Sequence, residues 1–118
     1  LANNPAPEAA ASIRNKLKET DDVGTKIGLI NALGYRGEPD SIRVIAVELN
    51  SRHENVATAA AIALGKIGTG EAAEFLAAAR PPTKGELKLH IHDARLKCAD
   101  KLHRAGKTEQ AASIHEQL

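Results

Sequence analysis

The segment at 30–45, INALGYRGEPDSIRVI, returns at 61–76 as AIALGKIGTGEAAEFL. Leu33, Gly34 and Gly37 each stand 31 positions before Leu64, Gly65 and Gly68. A word repeated at that interval restricts the chain to an architecture of stacked copies of one supersecondary unit. Upstream of each Leu-Gly, apolar residues fall at helical spacing: Ile27, Ile30 and Leu33 in the first copy, and Ala57, Ala60, Ala61 and Leu64 in the second. That period predicts amphipathic helices rather than strands.

A second helix is predicted after each glycine pair. Pro39 suits a first helical turn, where its missing N–H is no loss, and Ile42, Ile45, Ala46 and Leu49 then form one stripe. In the second copy Thr69 is the expected N-cap, followed by acidic Glu71 and the stripe Ala72, Phe75, Leu76 and Ala79. Gly37 and Gly68 are read as helix terminators that turn the chain into the next helix. No β-branched strand precedes either pair, as a phosphate-binding loop requires, so the glycines are assigned to structure.

The flanks follow the same grammar. Residues 8–19 carry Ala10, Ile13 and Leu17 on one face. Pro81-Pro82 breaks the chain, and Thr83-Lys84-Gly85-Glu86 has the form of a capping box that opens a longer helix with Leu87, Ile91, Ala94, Cys98 and Leu102 along one face. A last helix from about 108 presents Ala111, Ile114 and Leu118. The expectation is an all-α chain of about seven helices whose neighbours bury each other's apolar faces in a right-handed αα superhelix. Residues 1–7 read as a linker and 8–118 as the repeat domain, with 83–118 as degenerate or capping helices.

The run Val56-Ala57-Thr58-Ala59-Ala60-Ala61-Ile62-Ala63-Leu64-Gly65-Lys66-Ile67-Gly68 resembles a HEAT repeat of the short kind found in phycobilin lyases. The copy at 25–37 is similar but looser, with Thr25 in the Val place and Gly28 among the small residues; strong matching spans 23–80. The tail departs from it. Leu64 to Leu102 is a step of 38, and ADKLHRAGKTEQAASIHEQL at 99–118 is similar to a tetratricopeptide half-motif. The first resemblance implies a HEAT-like solenoid, and both imply the same role, holding other polypeptides.

Catalytic chemistry finds little support in the residues. Some HEAT-repeat enzymes, the deoxyhypusine hydroxylases, bind iron through His-Glu steps within their helices, and this chain has His53-Glu54 and His115-Glu116. His53 lies eleven residues before Leu64, near a turn, so its register differs from that family's. His90 and His92 are two apart, which on a helix points their rings in nearly opposite directions. Ser12, Ser41, Ser51 and Ser113 have no evident base, and Cys98 sits on an apolar stripe. No metal, cofactor or catalytic residue is assigned. A fragment of a phycobilin-lyase-like enzyme is the alternative that the resemblance suggests.

Sixteen Lys and Arg against fifteen Asp and Glu leave a formal charge of +1, and Tyr35 and Phe75 are the whole aromatic content. Neither the charge nor the aromatics fit a nucleic-acid groove such as that of the HEAT-like DNA glycosylases. No apolar run is long enough to span a membrane, no signal peptide is apparent, and the compartment is not assigned.

The expected partner is therefore another protein, or another domain of the same protein. In HEAT-type arrays the second helix of each pair lines the concave face, which here means the helices expected to end at Gly34, Gly65 and about Ala105. Asn31 and Ile62 stand three residues before the glycines, Tyr35 and Lys66 directly after them, and Lys26 eight before the first. Lys26, Asn31, Tyr35, Ile62 and Lys66 together are the candidate partner-binding ridge of a non-enzymatic interaction or scaffolding module.

Overall fold

Two glycines with left-handed backbone set the folding unit. A computed structural model describes residues 7–79 and 86–117, and among these only glycines have positive φ. Gly37 (φ 70°) and Gly68 (φ 66°) stop their helices by donating N–H to Leu33 O at 3.0 Å and Leu64 O at 2.9 Å. Both are the αL caps expected of glycine just past a helix end. The described chain forms α1 (Pro7–Glu19), α2 (Val23–Arg36), α3 (Ile42–Val47), α4 (Glu54–Ile67), α5 (Gly70–Ala78), α6 (Leu87–Arg104) and α7 (Thr108–Gln117). Pro39 opens a 3₁₀ turn, Pro39–Ser41, and a second 3₁₀ turn, Glu48–Asn50, closes α3.

Local capping follows the sequence where it is described. Thr69 Oγ1 accepts from Ala72 N at 3.1 Å, as its N-cap position predicts. Asp22 Oδ2 accepts from the hydroxyl of Thr25 at 2.7 Å and from its N–H at 2.8 Å. These bonds hold the Asp22 carboxyl below its ordinary pKa. The predicted linker 1–7 (apart from the first residue of α1), Pro81-Pro82 and most of the capping box at 83–86 lie outside the described residues.

Helices α2, α4 and α6 lie side by side as an inner layer, and α1, α3, α5 and α7 pack on it as an outer layer. The molecule measures 38 × 36 × 16 Å along its principal axes, a depth that admits two helical layers and no third. The predicted apolar stripes meet between the layers: Leu33, Ile45, Val56, Leu64, Leu76 and Cys98 are all buried. The result is an all-α, solenoid-like fold.

One part of the repeat behaves differently from its sequence reading. The helices do not end at Gly34 and Gly65; α2 runs to Arg36 and α4 to Ile67, and α6 ends at Arg104. Gly34 and Gly65 lie inside helices, where they allow the backbones to touch. A Cβ on Gly34 would stand 2.8 Å from Ala63 Cβ and 3.0 Å from Ala63 Cα. One on Gly65 would stand 3.0 Å from both Ala94 Cα and Ala94 Cβ. In each case the partner alanine lies 29 residues further along the chain. The period of 31 therefore continues structurally into α6, although the Leu-Gly word does not. Leu102 lies in the stretch by which α6 runs past the position equivalent to the end of α4, so the 38-residue step from Leu64 is no departure from the period.

Cys98 lies at the centre of the α4–α6 contact, with its Sγ 3.8 Å from Leu64 O. Burial pushes its thiol up to about 11, outweighing the opposing pull of Lys101 and Arg95. A raised thiol pKa favours the folded state below the unfolded pKa of about 8.5–9, and that contribution is lost as pH rises. Stability should fall between roughly pH 9 and 11, and Cys98→Ala should remove that part of the fall. Urea midpoints of both proteins across this range test the expectation, and identical slopes would refute it.

Candidate protein-interaction face

The register of the inner layer decides which side chains share its outer surface. Since Gly34 meets Ala63 and Gly65 meets Ala94, positions 31 apart occupy equivalent places on α2, α4 and α6. Asn31, Ile62 and Asp93 then form one row across the layer, and Tyr35, Lys66 and Lys97 form the next. Their burial agrees with an outward position: Asn31, Lys66, Asp93 and Lys97 are exposed, and Ile62 is half-buried. Tyr35 is 89% exposed, although it is the chain's one tyrosine and carries a large apolar ring.

Lys26 falls elsewhere. It is five residues before Asn31, which on a helix rotates it by about 140°. Its Nζ lies 3.2 Å from Glu48 Oε1, at a site where both side chains are largely covered. The ammonium is thus tied to the 3₁₀ turn after α3, away from the outer face. The equivalent positions one repeat later are Ala57, which is buried, and Ala79, which packs on the core. Four of the five expected residues share a face, and helical geometry removes the fifth.

The same register adds residues that the sequence reading missed. Leu89, on the row of Ile27 and Thr58, is 69% exposed. Lys97 sits 3.4 Å from Asp93 in an exposed i,i+4 pair. Carrying the 31-residue step past Thr58, Ile62 and Lys66 would have found all three. The longer step between leucines concealed it.

The histidines do not assemble into a site. His53 is the exposed residue before α4, His115 lies on α7, and His90 and His92 lie on α6. Among the described residues no group of three or more His, Cys, Asp or Glu is placed to hold a metal ion. Two of the serines have structural duties: buried Ser41 receives a hydrogen bond from Arg14 at 3.3 Å, and Ser51 Oγ accepts from His53 N at 3.1 Å. Two open grooves flank α7. One of about 480 Å³ lies against α5, over Ala73, Ala77, Leu102 and Ile114, and one of about 510 Å³ lies against α6, over Leu96, Ala99, Ala111 and Ala112. No helix among the described residues is long and apolar enough to cross a membrane.

Stacked helix pairs at a period of 31, joined through glycine and alanine, now have an independent counterpart. Residues 10–88 match the family described as HEAT repeats. The chain belongs to the HEAT-repeat family. The match begins within α1 and ends at the start of α6, so it takes in more of the N-terminal helix than the strong matching at 23–80. Among curated proteins, a search found no match to the chain. HEAT repeats commonly mediate protein–protein interaction, and the family is generally non-catalytic.

Proposed function

We propose that the outer surface of the α2–α4–α6 layer binds another polypeptide, and that this HEAT-repeat chain acts as a non-enzymatic interaction or scaffolding module. The observation that carries the reading is Tyr35, 89% exposed and in one row with Lys66, next to half-buried Ile62. An aromatic ring left in water gains by burial against a partner, and Tyr flanked by a cation and an aliphatic residue is typical interface composition. Asn31 adds an adaptable hydrogen-bonding group on the same side. The partner is a separate protein or a further domain of the same polypeptide.

The test is site-specific photo-crosslinking in lysate of the source cells. A crosslinking residue at position 35 should give a defined adduct, while one at Arg43, whose side chain is 83% exposed on the outer layer, should not. Ile62→Glu in the position-35 protein should abolish the adduct. Adducts of equal yield at 35 and 43, or a position-35 adduct that survives Ile62→Glu, would refute the assignment.

A further inference from the structure

The two joints of the inner layer are built differently. Helix α6 is longer than α4, and its extra turn lies over the C-terminal end of α4. From that turn Lys101 Nζ donates to Lys66 O at 2.7 Å and to Ile67 O at 3.5 Å, carbonyls that have no partner within their own helix. The aliphatic part of Lys101 packs against Gly68, where an added Cβ would run into it. At the other end of the joint, Glu54 Oε2 accepts from Glu86 N at 3.2 Å. The α4–α6 joint is therefore pinned at both ends as well as through Gly65 and Ala94.

Among the described residues the α2–α4 joint has no counterpart of Lys101; α2 is tied instead through Lys26 to Glu48 of the 3₁₀ turn after α3. The position 31 before Lys101 is Gly70, which has no side chain to reach back, and nothing lies within 4 Å of where a Cβ on Gly37 would stand. Helix α2 is also the weaker helix in itself. It contains Gly24, Gly28 and Gly34, each costing about 1 kcal/mol of helix propensity against Ala, and Gly28 has nothing within 4 Å to repay that cost by close packing. It buries only Ile30, Leu33 and Gly34, whereas α4 buries nine residues.

We infer that Lys101 locks α4 and α6 into one unit, and that the array opens at the α2–α4 joint, so that α1 and α2 detach together from a still-folded remainder. Repeat arrays are stabilised by nearest-neighbour interfaces, so the joint beside the weaker helix, without the lysine of the α4–α6 joint, opens first. Asn31 and Tyr35 ride on α2, and a partner seated on them would close the joint. That consequence rests on the function proposed above; the inequality of the joints does not.

Hydrogen–deuterium exchange of the intact chain, read by mass spectrometry, tests the inference. Amides of α2 should exchange about tenfold or more faster than those of α4 in the wild type. Lys101→Met keeps the aliphatic contact and removes the ammonium. It should speed exchange across 64–70 by about tenfold, Lys101→Arg should not, and neither should alter α2. Gly28→Ala should slow exchange in α1 and α2 together, more than in α4. Equal protection of α2 and α4, or a Lys101→Met protein whose 64–70 segment exchanges at the wild-type rate, overturns the inference. Neither result depends on whether a partner is found.

Discussion

Gly65→Val is expected to destabilise the chain by about 3 kcal/mol, at the upper end of what overpacking costs in a close-packed interior. A single Cβ at this position would already stand 3.0 Å from the Cα of Ala94 and 3.4 Å from its carbonyl oxygen. These are backbone atoms, which cannot rotate away as a side chain can. Helices α4 and α6 must separate to admit the new atoms, and separation exposes the buried contact between Leu64 and Cys98. Removing a glycine from a helix interior would by itself favour folding by up to about 1 kcal/mol, so a net loss identifies the interface as its cause. Gly28→Ala supplies the opposite sign. Nothing lies within 4 Å of its Cβ, and it should stabilise the protein by about 0.5–1 kcal/mol. Urea midpoints followed by far-ultraviolet circular dichroism measure both. If Gly65→Val proved neutral, the backbone contact would not be what sets the spacing of the array.

Leu64→Ala should cost about 2–5 kcal/mol, the range for removing a fully buried leucine. Leu64 has no exposed surface and lies in the last turn of α4, where its carbonyl oxygen meets Cys98 of α6. A domain of this size is stable by only about 5–15 kcal/mol, so the loss would take a large share of the total. Ile62 is two residues away and only half-buried. Ile62→Ala should cost well under half as much, because its neighbours lie on one side only. Cys98 offers a second readout. Its thiol, buried and pushed up to about 11, reacts with thiol reagents at neutral pH only when the α4–α6 contact opens. Leu64→Ala should speed labelling of Cys98 by the factor that its lost stability sets, and Ile62→Ala should speed it far less. Equal costs for the two substitutions would mean that the division between core and outer face is wrong.

The helices and the apolar stripes that form much of the core were legible in the sequence, since each depends on residues within about one helical turn of one another. Apolar spacing selected the buried stripes, Thr69 marked a helix start, and Gly37 and Gly68 marked two ends. The function of the remaining glycines was not legible. Gly34 and Gly65 look like part of the same terminator, yet each lies a full helix away in sequence from the alanine it meets. Only packing reveals that contact. Lys26 illustrates the same division: its place on the far side of α2 follows from helical rotation, but its engagement depends on Glu48, 22 residues later. Of the residues that the 31-residue register places on the outer surface of the inner layer, Asn31, Tyr35, Ile62 and Lys66 were named from the sequence, and Leu89, Asp93 and Lys97 were not. The period that links these rows is carried in α6 by a backbone contact at Ala94, after the word that announced it has disappeared. Local propensity and hydrophobic period thus determined what the pieces are, and contacts between residues about 30 apart decided how they are spaced, pinned and exposed.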